Sequence, residues 1–525
     1  MISSPIRNKT LADLIPEALA GIDADRRQAL EKRAVRGVQQ DSRKVGRGDL
    51  FVAQRGLTVD GHRFAATAAA AGAVAVVGSD ALPTPIDAPY LRVDDPARLL
   101  GLAASRLLDE PCHTLRGVGI TGTNGKTTTA YLLEGMLAAA GKRPGLIGTV
   151  AYRTGKRSIP APFTTPTPVE LQELLAEMVG AGCDHLVMEV SSHGLELGRV
   201  WGCEYAVAAF SHLTQDHLDL HGSMEAYLQA KLLLFSRYLR PGGVAVINVD
   251  GHGADAVLGA ARQRGDVSIL RCSRSGADAE LELEALRCDL RGLHATVVYE
   301  PPGGGETRVE LRSPLLGDYN ADNLLLAVGC SMALGLPLEG AVESARELAG
   351  VPGRLERVDG GRDYAVLVDY AHTPDALSRA LAALRPLCTG RLLCVFGCGG
   401  DRDRSKRPLM GRAVAEVADL ALVTSDNPRS EDPQAIVDAI MPGLEGHGPR
   451  VDAVGGDTPR GVWVDVDRAR AIDVAVAALQ PGDILLIAGK GHEDYQILGE
   501  RRIDFDDRKH ARRALAARDD RRKER

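Results

Sequence analysis

Apolar and polar positions along this chain fall into blocks that read as strand, turn and helix in regular succession. The clearest strands are short apolar runs closed by a polar or glycine-bearing turn, around Gly117 to Thr121, Ala365 to Asp369, Leu392 to Phe396, Leu420 to Thr424 and Ile484 to Ala488. Strands that alternate with helix patterns predict parallel sheets covered by helices, with ligands at the carboxyl ends of the strands. Before them, Gly48 to Ala53, the turn Asp60-Gly61-His62, an alanine-rich helix and a strand from Ala73 to Val77 predict a small α/β domain. Proline and two glycines in Gly350-Val-Pro-Gly-Arg354 break the helix patterns on either side and mark a linker. The tail from Arg508 to Arg525 reads as a charged helix. The pattern gives an α/β chain of three domains, 1–112, 113–348 and 349–525, the last Rossmann-like.

Length agrees, since 525 residues exceed the roughly 250 to 300 that one core supports. Hydrophobic residues at 45% and charged residues at 25% suit a packed globular protein. A net charge of −7 supplies no basic field to gather nucleic acid. Neither Met1 to Ala18 nor the alanine-rich stretch Ala65 to Gly78 has the make-up of a leader or membrane span, so a cytoplasmic protein without membrane insertion is expected. Nine cysteines without a CxxC pair read as thiols.

The strongest local signal is Gly119-Ile-Thr-Gly-Thr-Asn-Gly-Lys-Thr-Thr-Thr129, between an apolar strand and an amphipathic helix running to about Ala140. Such glycines let backbone N–H groups turn toward phosphate oxygens. Lys126 can neutralise the β and γ phosphates, and the Thr127 hydroxyl can ligate Mg²⁺ at the helix N-terminus. The strict P-loop pattern has glycine where this chain has Ile120. The central domain is thus read as a P-loop-type, ATPase-like parallel sheet. Two more clusters follow it, Val187-Met-Glu-Val-Ser-Ser-His193 and Thr214-Gln-Asp-His-Leu-Asp-Leu-His-Gly222. Glu189 and His217 could hold a second divalent cation, although Asp216 and the histidines also suit a capped helix start. Lys231 lies on an otherwise apolar helix face, where a lone lysine is ordinarily a snorkelling stem.

This constellation resembles the Mur ligases, the amino-acid-adding enzymes of peptidoglycan synthesis, over essentially the full length. Gly122, Thr123, Asn124, Gly125, Lys126, Thr127 and Thr128 resemble the family's nucleotide loop, Glu189 and His217 its metal ligands, and Lys231 the lysine that members carry as a carbamate. Asn320, Asn323, Arg354, Asp369 and His372 resemble residues that approach the nucleotide. Asp41-Ser-Arg43, Gly48 to Phe51 and Asp60 to His62 resemble the UDP-binding domain of the diamino-acid-adding member. There Ser42 would contact the diphosphate, and Thr164, Thr165, Ser191 and Arg199 the muramoyl dipeptide. Taken singly, serine and threonine in such turns more often bond the local backbone. Leu197 and His212 depart from residues common in the family at those positions.

The turn Asp426-Asn427-Pro428-Arg429 resembles the signature of members that use meso-diaminopimelate. A guanidinium can grip the distal carboxylate that distinguishes this amino acid from lysine. Arg402, Gly489 and Glu493 would complete that pocket, with Glu493 toward the distal ammonium. The resemblance implies a monomeric ligase with ATP and Mg²⁺ as cofactors. It would join meso-2,6-diaminopimelate to UDP-N-acetylmuramoyl-L-alanyl-D-glutamate through an acyl phosphate, in an active site between domains that close about Gly350 to Arg354. A lysine-adding sibling, a folylpolyglutamate-type ligase and a non-catalytic ATP-regulated binding protein are the alternatives.

Overall fold

The computed structural model describes residues 9–56, 59–214, 218–348, 350–359 and 361–523. They form two compact units, Met1–Glu282 with Tyr299–Thr307 and Leu325–Ala341, and Leu283–Val298 with Arg308–Leu324 and Val342–Arg525.

The first unit opens with a four-stranded parallel sheet, Gly37–Gln39, Asp49–Val52, Ala75–Gly78 and Tyr90–Arg92, paired in chain order. The expected strand from Ala73 to Val77 is therefore shifted slightly toward its carboxyl end. Helix Pro96–Leu107 starts on Asp95, whose carboxylate accepts from the Arg98 N–H, with proline in the first turn, and it buries Leu99, Leu100, Ala103 and Ala104.

The same unit holds a larger sheet in which Arg116–Thr121 lies between His185–Glu189 and Tyr205–Phe210, all parallel. Pro144–Ile147 continues the parallel sheet beyond His185–Glu189, and Leu239–Asn248 and Ser268–Ser273 continue it on the other side. An antiparallel pair, Ala151–Thr154 and Arg157–Pro160, closes one edge. Register places Glu189 opposite Ile120 and Phe210 opposite Thr121, so the three central strands end level. That common edge is where a parallel sheet presents its binding crevice.

In the second unit, five parallel strands run in the order Ala365–Asp369, Ile484–Ala488, Leu392–Phe396, Leu420–Val423 and Gly461–Val464. Ala365, Leu367, Cys394, Phe396, Ile484 and Leu486 pack with helices Pro374–Leu384 and Lys406–Val417 on one face. Val366, Val368, Leu393, Val395, Leu485 and Ile487 pack with Arg468–Ala478 and Asp507–Lys523 on the other. Both faces are covered, which is why these strands read as unbroken apolar runs. The Leu420 strand ends one residue earlier than expected, at Val423, and Gly461–Val464 was not foreseen. In the segment read as a linker, Gly350 and Gly353 take left-handed φ values of +82° and +70°. Among the described residues, no helix is long and apolar enough to cross a membrane.

Candidate active site

In the first unit, the loop from Gly122 to Gly125 leaves the end of strand Arg116–Thr121 and enters helix Lys126–Ala139 through Gly125 at φ +86°. Gly122 has φ +143°, and a Cβ there would lie 2.0 Å from Ser211 Oγ. Only glycine fits that backbone and space. Neighbouring strand ends hold the loop. Thr123 N–H donates to the His212 carbonyl at 2.8 Å, Thr123 Oγ1 accepts from Thr214 N–H at 2.9 Å, and Ser211 Oγ donates to the Asn124 carbonyl at 2.6 Å. Lys126 Nζ donates to the carbonyl oxygens of Gly122 and Thr123 at 2.9 and 2.8 Å, which keeps its charge on the loop.

Glu189 ends the neighbouring strand fully buried. Its Oε2 accepts from Thr127 Oγ1 at 2.9 Å and Thr149 Oγ1 at 3.0 Å, and its Oε1 accepts from Thr149 N–H at 2.8 Å. No cationic side chain pairs with this carboxylate among the described residues. A buried carboxylate held only by hydroxyls and an amide favours a cation, and its hard oxygen neighbours suit Mg²⁺. Gly148 makes the arrangement possible, since a Cβ there would lie 2.3 Å from Glu189 Oε1. Gly148 and Thr149 were missed in the sequence; the available signal was a Gly-Thr pair directly after the strand Pro144–Ile147.

Lys231 is only 1% exposed, on helix Met224–Leu233, so it is not the snorkelling stem its flanks suggest. Its Nζ donates to the Gly122 carbonyl at 2.8 Å and lies 4.3 Å from the centre of the Tyr227 ring. The sheet thus brings Lys126, Thr127, Glu189 and Lys231 to one loop. His217 lies outside the described residues.

Thr164 Oγ1 lies 3.1 Å from Thr149 Oγ1. Thr165 is buried, and its hydroxyl donates to the Glu189 carbonyl and accepts from Ser191 N–H, each at 3.0 Å. Ser191 Oγ caps helix Ser192–Glu196 through Gly194 N–H, and Arg199 donates to the Thr165 carbonyl at 2.9 Å beside the Phe163 ring. Thr165 and Ser191 therefore brace the segment by local bonds. Ser42 starts a short helical turn capped by Asp41. The Arg43 guanidinium holds the Asp41 carboxyl down at about 2. His62 is buried with Nδ1 2.7 Å from Asp60, while Nε2 accepts from the N–H groups of Ser79 and Asp80. Asp60, His62 and Asp80 cluster closely enough for a metal, but both ring nitrogens of His62 are already committed.

In the second unit, the Asp369 carboxylate accepts from Leu355 N–H at 2.7 Å and Ala371 N–H at 2.8 Å. Burial pushes its pKa up, opposed by Arg354 and these two amides. Arg354 lies 5.1 Å from the Tyr370 ring, and His372 Nδ1 is 2.8 Å from the Tyr370 carbonyl. Asn320 Nδ2 donates to the Leu316 carbonyl at 2.7 Å, and Asn323 Nδ2 to Asn320 Oδ1 at 3.0 Å.

The turn after Leu420–Val423 carries Asp426, Asn427 and Pro428, all buried, and Arg429 at a left-handed φ of +50°. Arg429 N–H donates to the Ile497 carbonyl at 3.1 Å, and its guanidinium to the Gly400 carbonyl at 2.8 Å. Asn427 Nδ2 donates to Glu493 Oε2 at 2.9 Å. Gly489, at φ +118°, passes close to Asp426. Arg402 is exposed and bonds the Asp401 carbonyl. Lys490 and the buried pair Arg468–Asp507 also stand in this region and were missed. For Lys490 the signal was its position between two glycines.

A glycine loop at a strand end with a buried carboxylate at its side, and a Rossmann-like sheet whose strand-end turns carry Arg429 and Glu493, are the architecture of a nucleotide-dependent α/β enzyme. Models of the Mur ligase catalytic, middle and glutamate ligase domains match residues 34–107, 120–331 and 353–491. The chain belongs to the Mur ligase family, ATP-dependent enzymes that form amide bonds. It is 44% identical over 512 residues to the UDP-N-acetylmuramoyl-L-alanyl-D-glutamate--2,6-diaminopimelate ligase of Nostoc sp., covering 96% of this chain and 99% of that one. It is 47% identical over 488 residues to the ligase of the same name in Gloeobacter violaceus, covering 92% and 94%. A solved structure of a ligase with that name superposes with a TM-score of 0.73 at 34% identity, over 98% of this chain and 100% of the other.

Proposed function

We propose that this chain is the cytoplasmic ligase that joins meso-2,6-diaminopimelate to UDP-N-acetylmuramoyl-L-alanyl-D-glutamate at the expense of ATP, with Mg²⁺. The observation that carries this reading is the near end-to-end match to relatives named for that reaction. The residues support it. Lys126, now on two loop carbonyls, is within reach of the loop that would cradle the β and γ phosphates. Thr127 and Glu189, with His217 and a carbamate on Lys231, would hold the metal, which when bound spreads the charge of the phosphate oxygens. The D-glutamyl γ-carboxylate attacks the γ phosphate, ADP leaves, and the amine of diaminopimelate then displaces phosphate from the acyl phosphate. Arg429 receives the distal carboxylate, and Glu493 the ammonium beside it.

The roles of Ser42, Thr164, Thr165, Ser191 and Arg199 toward the UDP-linked dipeptide, and of Asn320, Arg354, Asp369 and His372 toward the nucleotide, belong to the same reading, as does division into domains 1–112, 113–348 and 349–525. Phosphate release from ATP and Mg²⁺ with the UDP-dipeptide tests it, comparing meso-diaminopimelate, L-lysine and no amine. Turnover with diaminopimelate alone is expected. Turnover with lysine instead removes the pocket assignment, and release without either amine returns the chain to a folylpolyglutamate-type ligase or a nucleotide switch.

A further inference from the structure

The turn after strand Ile484–Ala488 drives a lysine into the protein. Lys490 stands between Gly489 at φ +118° and Gly491 at φ +53°. A Cβ on Gly491 would lie 2.6 Å from the Tyr370 Cβ and 2.7 Å from the Gly353 carbonyl oxygen, and one on Gly489 would lie 3.4 Å from Asp426 Oδ2. Tight packing at Gly491 and the left-handed backbone on both sides turn the Lys490 side chain inward, where it is 0% exposed. Its ammonium meets Glu493 Oε2 at 3.2 Å, Asn427 Oδ1 at 3.3 Å and Asp426 Oδ1 at 3.6 Å, and lies 5.4 Å from the centre of the Tyr495 ring.

An ammonium ion in such a place destabilises the fold unless its partners compensate it. Two carboxylates and an amide oxygen do so here, and the arrangement constrains those partners in turn. Glu493 Oε2 accepts from both Lys490 Nζ and Asn427 Nδ2. Its Oε1 takes no donor from the described residues, and the side chain keeps 17% exposure, so Oε1 is the oxygen left to an incoming ligand. Asn427 is fixed as well. Its Oδ1 accepts from Lys490 and from Ile497 N–H at 3.0 Å, which leaves Nδ2 to face Glu493. Without the lysine, Asp426 and Glu493 would lose the ammonium that pairs with both, and Glu493 would lose one of the two donors that set its rotamer.

Resting on the reaction proposed above, we propose that Lys490 is a positioning residue for the amine substrate. It fixes Glu493 and Asn427 so that Glu493 Oε1 meets the ammonium at the far end of the diamino acid while Arg429 meets the carboxylate beside it. Lys490 itself is buried too deeply to touch that substrate. The ligand class is an amino acid whose distal end carries both an ammonium and a carboxylate.

Steady-state phosphate release by the full chain, with Lys490→Gln, Glu493→Gln and the double variant, provides the test. Losing a hydrogen bond to a charged group costs about 1.5–3 kcal/mol, roughly a ten- to hundredfold change. Lys490→Gln is expected to raise the KM for diaminopimelate by about that factor, with the KM for ATP changed less than about twofold. In a Glu493→Gln background the same substitution should add little, because its effect passes through Glu493. Lys490→Met fills similar space with an apolar chain suited to a buried position and carries the same expectation, so a poorly packed glutamine does not decide the matter. An unchanged KM for diaminopimelate, equal penalties on ATP and amine, or an undiminished effect in the Glu493→Gln background overturns the proposal. Wild-type indifference to diaminopimelate sinks the reaction itself and this proposal with it, whereas a responsive wild type beside an unaffected Lys490→Gln variant sinks the positioning role alone.

Discussion

Lys126 rests on the carbonyl oxygens of its own loop, so its charge is already placed before any phosphate arrives. Lys126→Met keeps the aliphatic stem and removes the ammonium. Turnover is expected to fall about 100- to 1000-fold, the cost of one lost electrostatic stabiliser of a transition state, with little change in melting temperature; phosphate release and a thermal melt check the two halves. Gly148 presents the opposite case. An added methyl would overlap Glu189 Oε1 at 2.3 Å and force the carboxylate off the Thr149 amide. Gly148→Ala is expected to lose about 1–3 kcal/mol of stability, read by chemical denaturation, and to weaken Mg²⁺ dependence of the activity. The loop and Glu189 stood out because each follows or closes an apolar strand with residues unusual there, whereas the local pattern around Lys231 suggested a snorkelling stem and only the family resemblance singled it out. Gly148 was not legible, because its partner is 41 positions away and the sheet alone brings them together. The depth of Lys490 was equally hidden, since glycine on both sides announces a turn without giving its direction.

Between elements, one tie in the second unit is announced by no local pattern. Arg468, on helix Arg468–Ala478, and Asp507, at the start of helix Asp507–Lys523, are both fully buried and pair through two hydrogen bonds of 2.8 and 2.7 Å. The arginine also donates to the Ala488 carbonyl at 2.9 Å, just before Gly489 and Lys490. Asp507→Asn leaves this buried guanidinium without the carboxylate it hydrogen-bonds, at an expected cost of about 3–5 kcal/mol. Arg468→Met combined with Asp507→Leu removes both charges and is expected to recover most of that loss; urea denaturation of the three proteins measures it, and a double variant as unstable as the single one would refute the account. The long apolar strands and the terminal helix were readable because burial on both faces, or a strong charge pattern, marks them over their whole length. Gly461–Val464 and the hairpin Tyr495–Leu498 with Arg501–Asp504 were not. The first is a four-residue edge strand. The second is two four-residue strands, Tyr-Gln-Ile-Leu and Arg-Arg-Ile-Asp, with no regular alternation to set them apart from a loop.

For the molecule as a whole, the second unit draws Leu283–Val298 and Arg308–Leu324 from the middle of the chain as well as Val342–Arg525. A pattern read along one dimension cannot show such membership, because packing decides it. Unfolding of a chain with two units need not be one cooperative step, and ligands should stabilise the unit whose residues bind them. The transition lowered by Asp507→Asn identifies the second unit in a calorimetric scan. Diaminopimelate at about 100 times its Kd should add about 2.7 kcal/mol to that unit and raise that transition. The shift should shrink in Arg429→Lys, whose single ammonium cannot reproduce a forked grip on a carboxylate, while L-lysine at the same concentration should give little shift in either protein. Equal shifts with lysine and diaminopimelate would mean that Arg429 does not read the distal carboxylate, and the choice of amine would then have to be made elsewhere in the chain.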